Sequence, residues 1–535
     1  MKAIEERLRA GRPPQAEPPP GTEERLRLAL SQPRRDQRAR SPEEWRRDSR
    51  RRGGRLLSIA VLALIGGAAV AYATGVIGGE SRQEAAAVAS PGEWGPATVL
   101  SGGHRRPPVP RLGIDGDGGL LVVWSRGGAV EAATRPASGS WTRPVRLSSA
   151  AVPSGDPAVA VTPDGSALAV WQERRDGRVE RQVLRLPDGS LAGVITRRVG
   201  GSYTLVARRR SAGGAWQAPI DISEAGGNRR DAADPRVVST GDGFLVAWVR
   251  GDRLETRRIG RDGTLDETLS VDPAGEGPPR QLALAVDAEG EALVAWTERT
   301  RGGEPAGHGL PVHSVVAARG DRGGWGDPVT LAEGLVQAPQ PTAAVGPDGQ
   351  AAVAYTATTP GRPSYIAASL TFDGDDWEAP VSLSSEARSS YAPNVAIDGD
   401  GRAVVHWSVG AATQFSVADE GGGWSAPVGY GSGGLVGQYS TAVPALVPDG
   451  AGRLIGAFGQ HAGIHVRDWP RGGPFGLPHL VTDATGSQFG LGGVAASPSG
   501  AAAVAVVGFG LKGPRGRGWD VRVAVREAAA TGERG

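Results

Sequence analysis

One segment recurs eight times along this chain: a short Val/Ala-rich run, usually opened by a proline, a turn with glycine, then an apolar run ending on an aromatic residue. The copies are PRLGIDGDGGLLVVW (110–124), PAVAVTPDGSALAVW (157–171), PRVVSTGDGFLVAW (235–248) and RQLALAVDAEGEALVAW (280–296). They continue as PTAAVGPDGQAAVAY (341–355), PNVAIDGDGRAVVHW (393–407), PALVPDGAGRLIGAF (444–458) and a degenerate VAASPSGAAAVAV (494–506), where Val506 replaces the aromatic. Two β-rich runs joined by Asp-Gly or a similar turn make a hairpin. Between copies lies a second unit, a strand, a Gly-rich turn, then W-x-x-P and another strand, as in SWTRPVRLSS (140–149), GWGDPVTLA (324–332) and DWEAPVSLSS (376–385). Eleven of the 14 Trp residues occupy one of these two repeated positions, so each is expected to pack between neighbouring sheets.

Each repeat therefore contains four strands, A-B then C-D, and a four-stranded unit at a period of about fifty residues predicts the blade of a β-propeller. The expected fold is all-β: a β-propeller with eight blades, seven or six being the alternatives, over 93–527. The longest spacing between B-strand ends, 77 residues, contains an extra hairpin at 178–195. The unit after Trp248 lacks W-x-x-P and uses RDGTLDETLSV (261–271) instead. The last unit stops after its third strand, WDVRVAVRE (519–527), so its fourth is expected from 93–101 at the start. Closing the ring in this way leaves no free sheet edge between first and last blade.

Ahead of the repeats, 56–79 read LLSIAVLALIGGAAVAYATGVIGG, 24 positions without a charge. Roughly 20 apolar residues cross a bilayer as a helix. The Arg cluster just before it (Arg46, Arg47, Arg50, Arg51, Arg52, Arg55) is retained on the cytoplasmic side. The expected organisation is a basic, largely disordered cytoplasmic tail (1–55), a single transmembrane helix (56–79), a linker (80–92), an extracytoplasmic propeller and a disordered end (528–535). Net charge is +7 over 1–55 and −5 over the remainder, so the positive charge sits in the tail and not on the folded part. That distribution argues against a nucleic-acid binder. Zero Cys excludes thiolate metal sites and cysteine catalysis. Asp115-Gly-Asp117 and Asp398-Gly-Asp400 lie where a hairpin demands Asp-Gly and lack the ligand set of a calcium loop. No cofactor or metal is expected.

The C-D turns carry VADEGGGW (417–424), TFDGDDW (371–377) and GDRGGW (320–325). With Asp419, Gly421 and Trp424, or Thr371, Asp373 and Trp377, these resemble the Asp-box (BNR repeat) of sialidase-like propellers in degenerate form. The resemblance implies a scaffold, since Asp-box residues are structural in that family. The matching position for the family's first catalytic Arg holds Pro108, and no Tyr sits in a recognisable Tyr-Glu setting. No catalytic residue is assigned on this basis.

In a propeller the D-to-A and B-to-C loops share one face around the central channel. Four consecutive repeats place Arg126, Arg174, Arg250 and Arg299 just after strand B, where convergent guanidinium groups would clasp carboxylate or sulfate. The D-to-A loops add Tyr391, Tyr439 and Phe489 as aromatic anchors. The function expected is a membrane-anchored, non-catalytic binding module for a glycan, envelope polymer or protein. The alternatives are a divergent sialidase-like glycoside hydrolase or lyase, and a transmembrane sensor whose tail engages a cytoplasmic partner.

Overall fold

The structure is a computed structural model. It describes residues 92–528 apart from 151, 176–177, 186–190, 200, 225–230, 301–310, 338, 373–375, 386, 411, 420, 431–444, 450–451, 461–462, 471–472, 474–475, 484–488 and 514–515. Of 178–199, Tyr430, Gln460, Asp483, Phe489 and 510–517 only the backbone is described. The tail, the apolar run 56–79, most of the linker and 529–535 lie outside these residues. Among the described residues no helix is long and apolar enough to cross a membrane.

Eight four-stranded antiparallel sheets follow one another along the chain. Blades 1 to 7 span 111–146, 154–221, 232–271, 276–335, 342–382, 390–430 and 445–483. Blade 8 takes its first three strands from 489–526 and its fourth, Thr98–His104, from the start of the chain. That closing strand pairs with Gly516–Arg526, with Thr98 opposite Val523 and His104 opposite Trp519. An isolated bridge, Trp94 to Arg526, extends the pairing towards the chain start. The inner strands of successive blades touch from blade 1 round to blade 8 and back to blade 1, so the ring is closed. The extra hairpin is also present: Arg178–Arg185 and Leu191–Val199 form a separate two-stranded sheet inserted in blade 2.

Why the B strands read as continuous apolar runs follows from the packing. A strand of pleated sheet turns alternate side chains to opposite faces, and here both faces of strand B are covered. Leu121 and Val123 pack into the cluster shared with blade 2, while Leu120, Val122 and Trp124 pack into the one shared with blade 8. The same alternation repeats round the ring, one apolar cluster at each of the eight junctions. Trp124, Trp171, Trp248, Trp296, Tyr355, Trp407, Phe458 and Val506 close these strands and are all buried. Each fully buried apolar side chain contributes about 1.5–3 kcal/mol. The W-x-x-P tryptophans Trp141, Trp216, Trp325, Trp377 and Trp424 are half-buried and pack on the rim of the same clusters.

Aspartates at both kinds of turn act on the backbone. Asp398 Oδ1 accepts the Asp400 and Arg402 N–H groups at 3.0 Å each, and its Oδ2 holds the Arg402 guanidinium at 2.6 Å. In the C-D turns, Asp419 Oδ1 accepts Gly421 and Gly423 N–H at 3.0 and 2.7 Å. Asp321 Oδ1 does the same for Gly323 and Gly324 at 2.6 and 3.1 Å. These carboxylates satisfy turn donors, and turn chemistry accounts for the Asp-Gly pairs.

Candidate functional site

The inner strands of five consecutive blades share a backbone feature at the loop face. Asp156, Asp234, Gln281, Gln340 and Ala392 adopt left-handed φ values of 47°, 54°, 55°, 52° and 55°. In four of them a register shift falls at the same place, between Gly155 and Ala158, Ala233 and Arg236, Arg280 and Ala283, and Tyr391 and Asn394. The extra residue of a bulge is unpaired, so the Pro that follows in four of the five sacrifices no ladder donor. A non-glycine residue held there costs on the order of 1 kcal/mol or more, and such positions concentrate where a site must be shaped.

Some of these side chains staple one blade to the next. Asp234 Oδ2 accepts the Leu282 N–H of blade 4 at 3.0 Å, and its Oδ1 pairs with Arg236 Nη1 at 2.6 Å. Arg236 Nε in turn donates to Leu282 O at 2.8 Å. Gln281 Oε1 accepts the Gln340 N–H of blade 5 at 3.1 Å, and Asn394 Oδ1 accepts Leu446 N–H of blade 7 at 2.8 Å. Arg111, first residue of blade 1's inner strand, lies within the field of Arg236, Asp234 and Asp156, three residues of blades 2 and 3. It is open to water along the channel yet flanked by protein. Desolvation first, and Arg236 second, lower its pKa against the opposing pull of Asp234 and Asp156. Among the described residues it makes no ion pair or hydrogen bond.

The four predicted arginines do stand at the B-to-C ends, with Arg126 opposite Ala129, Arg174 opposite Tyr203, Arg250 opposite Arg253 and Arg299 opposite His313. They do not converge as a set. Arg126 and Arg250 are two residues after their Trp, Arg174 and Arg299 three, and one residue moves a side chain to the other face of its sheet. Arg174 and Arg250 consequently meet the same junction, between blades 2 and 3. There Arg174 lies over the Tyr203 ring at 5.7 Å, and Tyr203 N–H donates to Asp231 Oδ1 at 2.8 Å. Arg250 faces Glu224 and Glu255 at 3.5 and 3.6 Å. Arg126 belongs to the junction of blades 8 and 1, 3.5 Å from Glu131. It faces His104, whose pKa is lowered by burial and next by Arg126. Arg299 is exposed at the turn of blade 4, opposite His313, whose pKa is lowered by burial, Arg280 and Arg299.

Tyr391 is 45% exposed and its hydroxyl donates to Gly410 O at 2.5 Å, tying the start of blade 6 to that blade's B-to-C turn. Burial raises its pKa, which leaves the phenol protonated. Phe489 starts the inner strand of blade 8, with only its backbone described, and Tyr439 lies outside the described residues. Residues not singled out from sequence are Arg111, Asp156, Asp234, Arg236, Gln281 and Gln340. For five of them the signal was the position before Pro157, Pro235 and Pro341, or just after Pro110 and Pro235, and Gln281 had no adjacent Pro; Asp and Gln are ordinary turn residues there.

No family profile matches the chain, and no curated protein matches it either. Solved structures are similar to it at low identity. A Dyadobacter fermentans protein of unknown function is 11% identical, with 82% of this chain and 99% of that one covered, at a TM-score of 0.36. The NanB sialidase from Streptococcus pneumoniae is 9% identical, with 58% and 67% covered, at 0.36. The β-propeller domain of the Trilobed protease from Pyrococcus furiosus is 10% identical, with 71% and 99% covered, at 0.38.

Proposed function

We propose that this chain is a membrane-anchored, extracytoplasmic binding module, without catalysis, whose propeller takes an acidic glycan or envelope polymer at the channel mouth. The observation that carries this reading is Arg111, an exposed guanidinium in the field of Asp156, Asp234 and Arg236 that has no direct partner among the described residues. A partly desolvated cation of this kind gains most from a carboxylate or sulfate, which it can hold bidentately. Asp156, on the left-handed position of blade 2, supplies an acceptor for hydroxyl groups beside it. Among the described residues no tyrosine hydroxyl is hydrogen-bonded to a carboxylate, whereas a covalent tyrosine mechanism needs an adjacent base.

Calorimetric titration of the full chain with N-acetylneuraminate, galacturonate oligomers and sulfated disaccharides tests the site. Binding is expected to weaken at least tenfold in Arg111→Ala, about 1.4 kcal/mol or more, and to change less than threefold in Arg299→Ala. Equal binding by wild type and Arg111→Ala would overturn the location, and turnover of any acidic glycoside would overturn the non-catalytic reading. The anchor rests on the uncharged run 56–79 behind its Arg cluster. The full chain is expected in the membrane fraction after carbonate washing, and deletion of 56–79 is expected to release it; a chain that is soluble from the outset refutes the anchor.

A further inference from the structure

Three clefts on the outer rim, each where one blade meets the next, differ in charge. The cleft between blades 8 and 1, about 840 Å³, is balanced, with Glu93 and Glu527 against Arg135 and Arg143. The one between blades 3 and 4, about 200 Å³, is balanced too, with Asp266, Glu267 and Asp321 against Arg257, Arg258 and Arg322. The cleft between blades 4 and 5, about 710 Å³, is not: Glu291, Asp321 and Asp327 meet Arg319 alone. Arg319 Nη1 already donates to Gly349 O at 2.8 Å, and one oxygen of Asp321 is taken by its own turn. Glu291, half-buried, and Asp327, exposed, have no side-chain partner among the described residues.

A second difference lies in the cleft wall. In blade 3, Thr256 stands opposite Ala247 of strand B, and its Oγ1 accepts the indole N–H of Trp325 from the next blade at 2.8 Å. The same register position in blade 4, opposite Ala295, holds Ala317. The equivalence holds two residues on, where Arg258 and Arg319 reach the carbonyls of Gly290 and Gly349 in the following blade. Ala317 has no hydroxyl to offer Trp377, the counterpart of Trp325, and the Trp377 N–H makes no hydrogen bond among the described residues. Trp377 is half-buried, packed on the 4/5 core on one side and lining the cleft on the other. One cavity thus presents an indole with a donor to spare, Ala317 and Val329 as apolar wall, and two uncommitted carboxylates.

Each feature selects for part of a ligand. The carboxylates call for a cation that donates charge-assisted hydrogen bonds. The indole adds attraction for an ammonium held near its ring, and the apolar wall takes a C–H surface. The free indole N–H takes an oxygen close to that ammonium. Ethanolamine has the ammonium and the oxygen but no ring to cover the wall, and lysine carries its ammonium at the end of a long methylene stem, far from any oxygen. A sugar ring with an amine beside a hydroxyl has all three. We infer that the 4/5 cleft is a binding site for an amino sugar bearing a free ammonium group. Its ligand is opposite in charge to the one proposed for the channel mouth, and the site does not depend on Arg111.

The test uses the full chain, titrated by calorimetry and tryptophan fluorescence with β-1,4-linked glucosamine oligosaccharides, their N-acetylated counterparts, ethanolamine and a lysine tripeptide. The free-amine sugars are expected to bind at least tenfold more tightly than the N-acetylated ones, which lack the cation. Glu291→Gln and Asp327→Asn together, neither removing a contact within the fold, are expected to weaken that binding at least tenfold, and Arg111→Ala to leave it unchanged. Ala317→Thr restores the hydroxyl that blade 3 has at this position and is expected to weaken binding about fivefold by occupying the Trp377 N–H. Because Ala317 is fully buried, the carboxylate pair is the deciding variant. No binding of the free-amine sugars at millimolar concentration, equal binding of the N-acetylated series, or binding untouched by the carboxylate pair overturns the inference. Equal or tighter binding of ethanolamine or the lysine peptide overturns the sugar as the ligand, and loss of binding in Arg111→Ala would place the sugar in the channel and overturn the site.

Discussion

Asp468→Ala is expected to destabilise the propeller by about 3 kcal/mol, although Asp468 is itself 38% exposed at the side chain. The cause is its partner. Arg526 is 1% exposed, with Nη1 donating to Asp468 Oδ1 at 2.5 Å, Nε donating to Gly500 O at 3.2 Å, and the guanidinium over the Trp94 ring at 5.4 Å. This one side chain joins blade 7, the A-B turn of blade 8 and the segment leading into the closing strand. Without Asp468 a buried cation keeps only a carbonyl and a π face. Removing one member of a buried pair costs roughly 3–5 kcal/mol, and solvent reaching the carboxylate edge puts this case at the low end. Asp468→Asn, which keeps an acceptor, is expected to lose about half as much, and Arg526→Met less than Asp468→Ala, because an apolar replacement leaves no unpaired charge. Urea unfolding of the full chain followed by near-UV circular dichroism checks the order. An Asp468→Ala protein within about 1 kcal/mol of wild type would mean that pairing along Thr98–His104 alone holds the seam.

The second large effect separates two tryptophans that are equivalent by sequence. Trp296 donates its indole N–H to Glu298 Oε2 at 2.9 Å, and Glu298 is 2% exposed. Trp171 does the same with Glu173 Oε1 at 3.0 Å. Trp124, at the corresponding position in blade 1, is fully buried and its Nε1 finds no acceptor among the described residues. Replacing either by Phe removes similar volume, but only at Trp296 does it strip a donor from a buried carboxylate. That adds about 1–3 kcal/mol. Trp296→Phe is therefore expected to cost about 2 kcal/mol more than Trp124→Phe in matched unfolding experiments. Equal losses would show that water, or another donor, takes over the carboxylate when the indole is gone.

These two cases mark where local pattern stops being informative. The B-strand aromatic recurs in the sequence because both faces of its strand are packed, a constraint that every blade imposes separately. What the indole N–H bonds to depends on the residue two places on, Arg in blades 1 and 3 and Glu in blades 2 and 4, and that position carries no periodic signal of its own. The loop-face arginines show the same boundary. Their presence just after strand B was legible, but Arg126 and Arg174 sit one residue apart in register, and with a side-chain period of two that displacement sends them to different junctions.

The four-stranded repeat, the eight hairpins, the inserted ribbon in blade 2 and the need for a strand from the chain start to complete the last blade were all written in the order of residues. Those follow from periodicity and strand counting, because hairpins pair neighbours in sequence and a sheet with a missing strand must find one. Three-dimensional packing was needed to fix the closing register at Thr98–His104 rather than a few residues earlier, the left-handed inner-strand positions, and the grouping of Arg111 with Asp156, Asp234 and Arg236. Each of these joins residues from different blades or opposite ends of the chain. Such contacts depend on where the ring closes in space, and a repeat that is nearly the same in every blade does not record which neighbour a given side chain will meet.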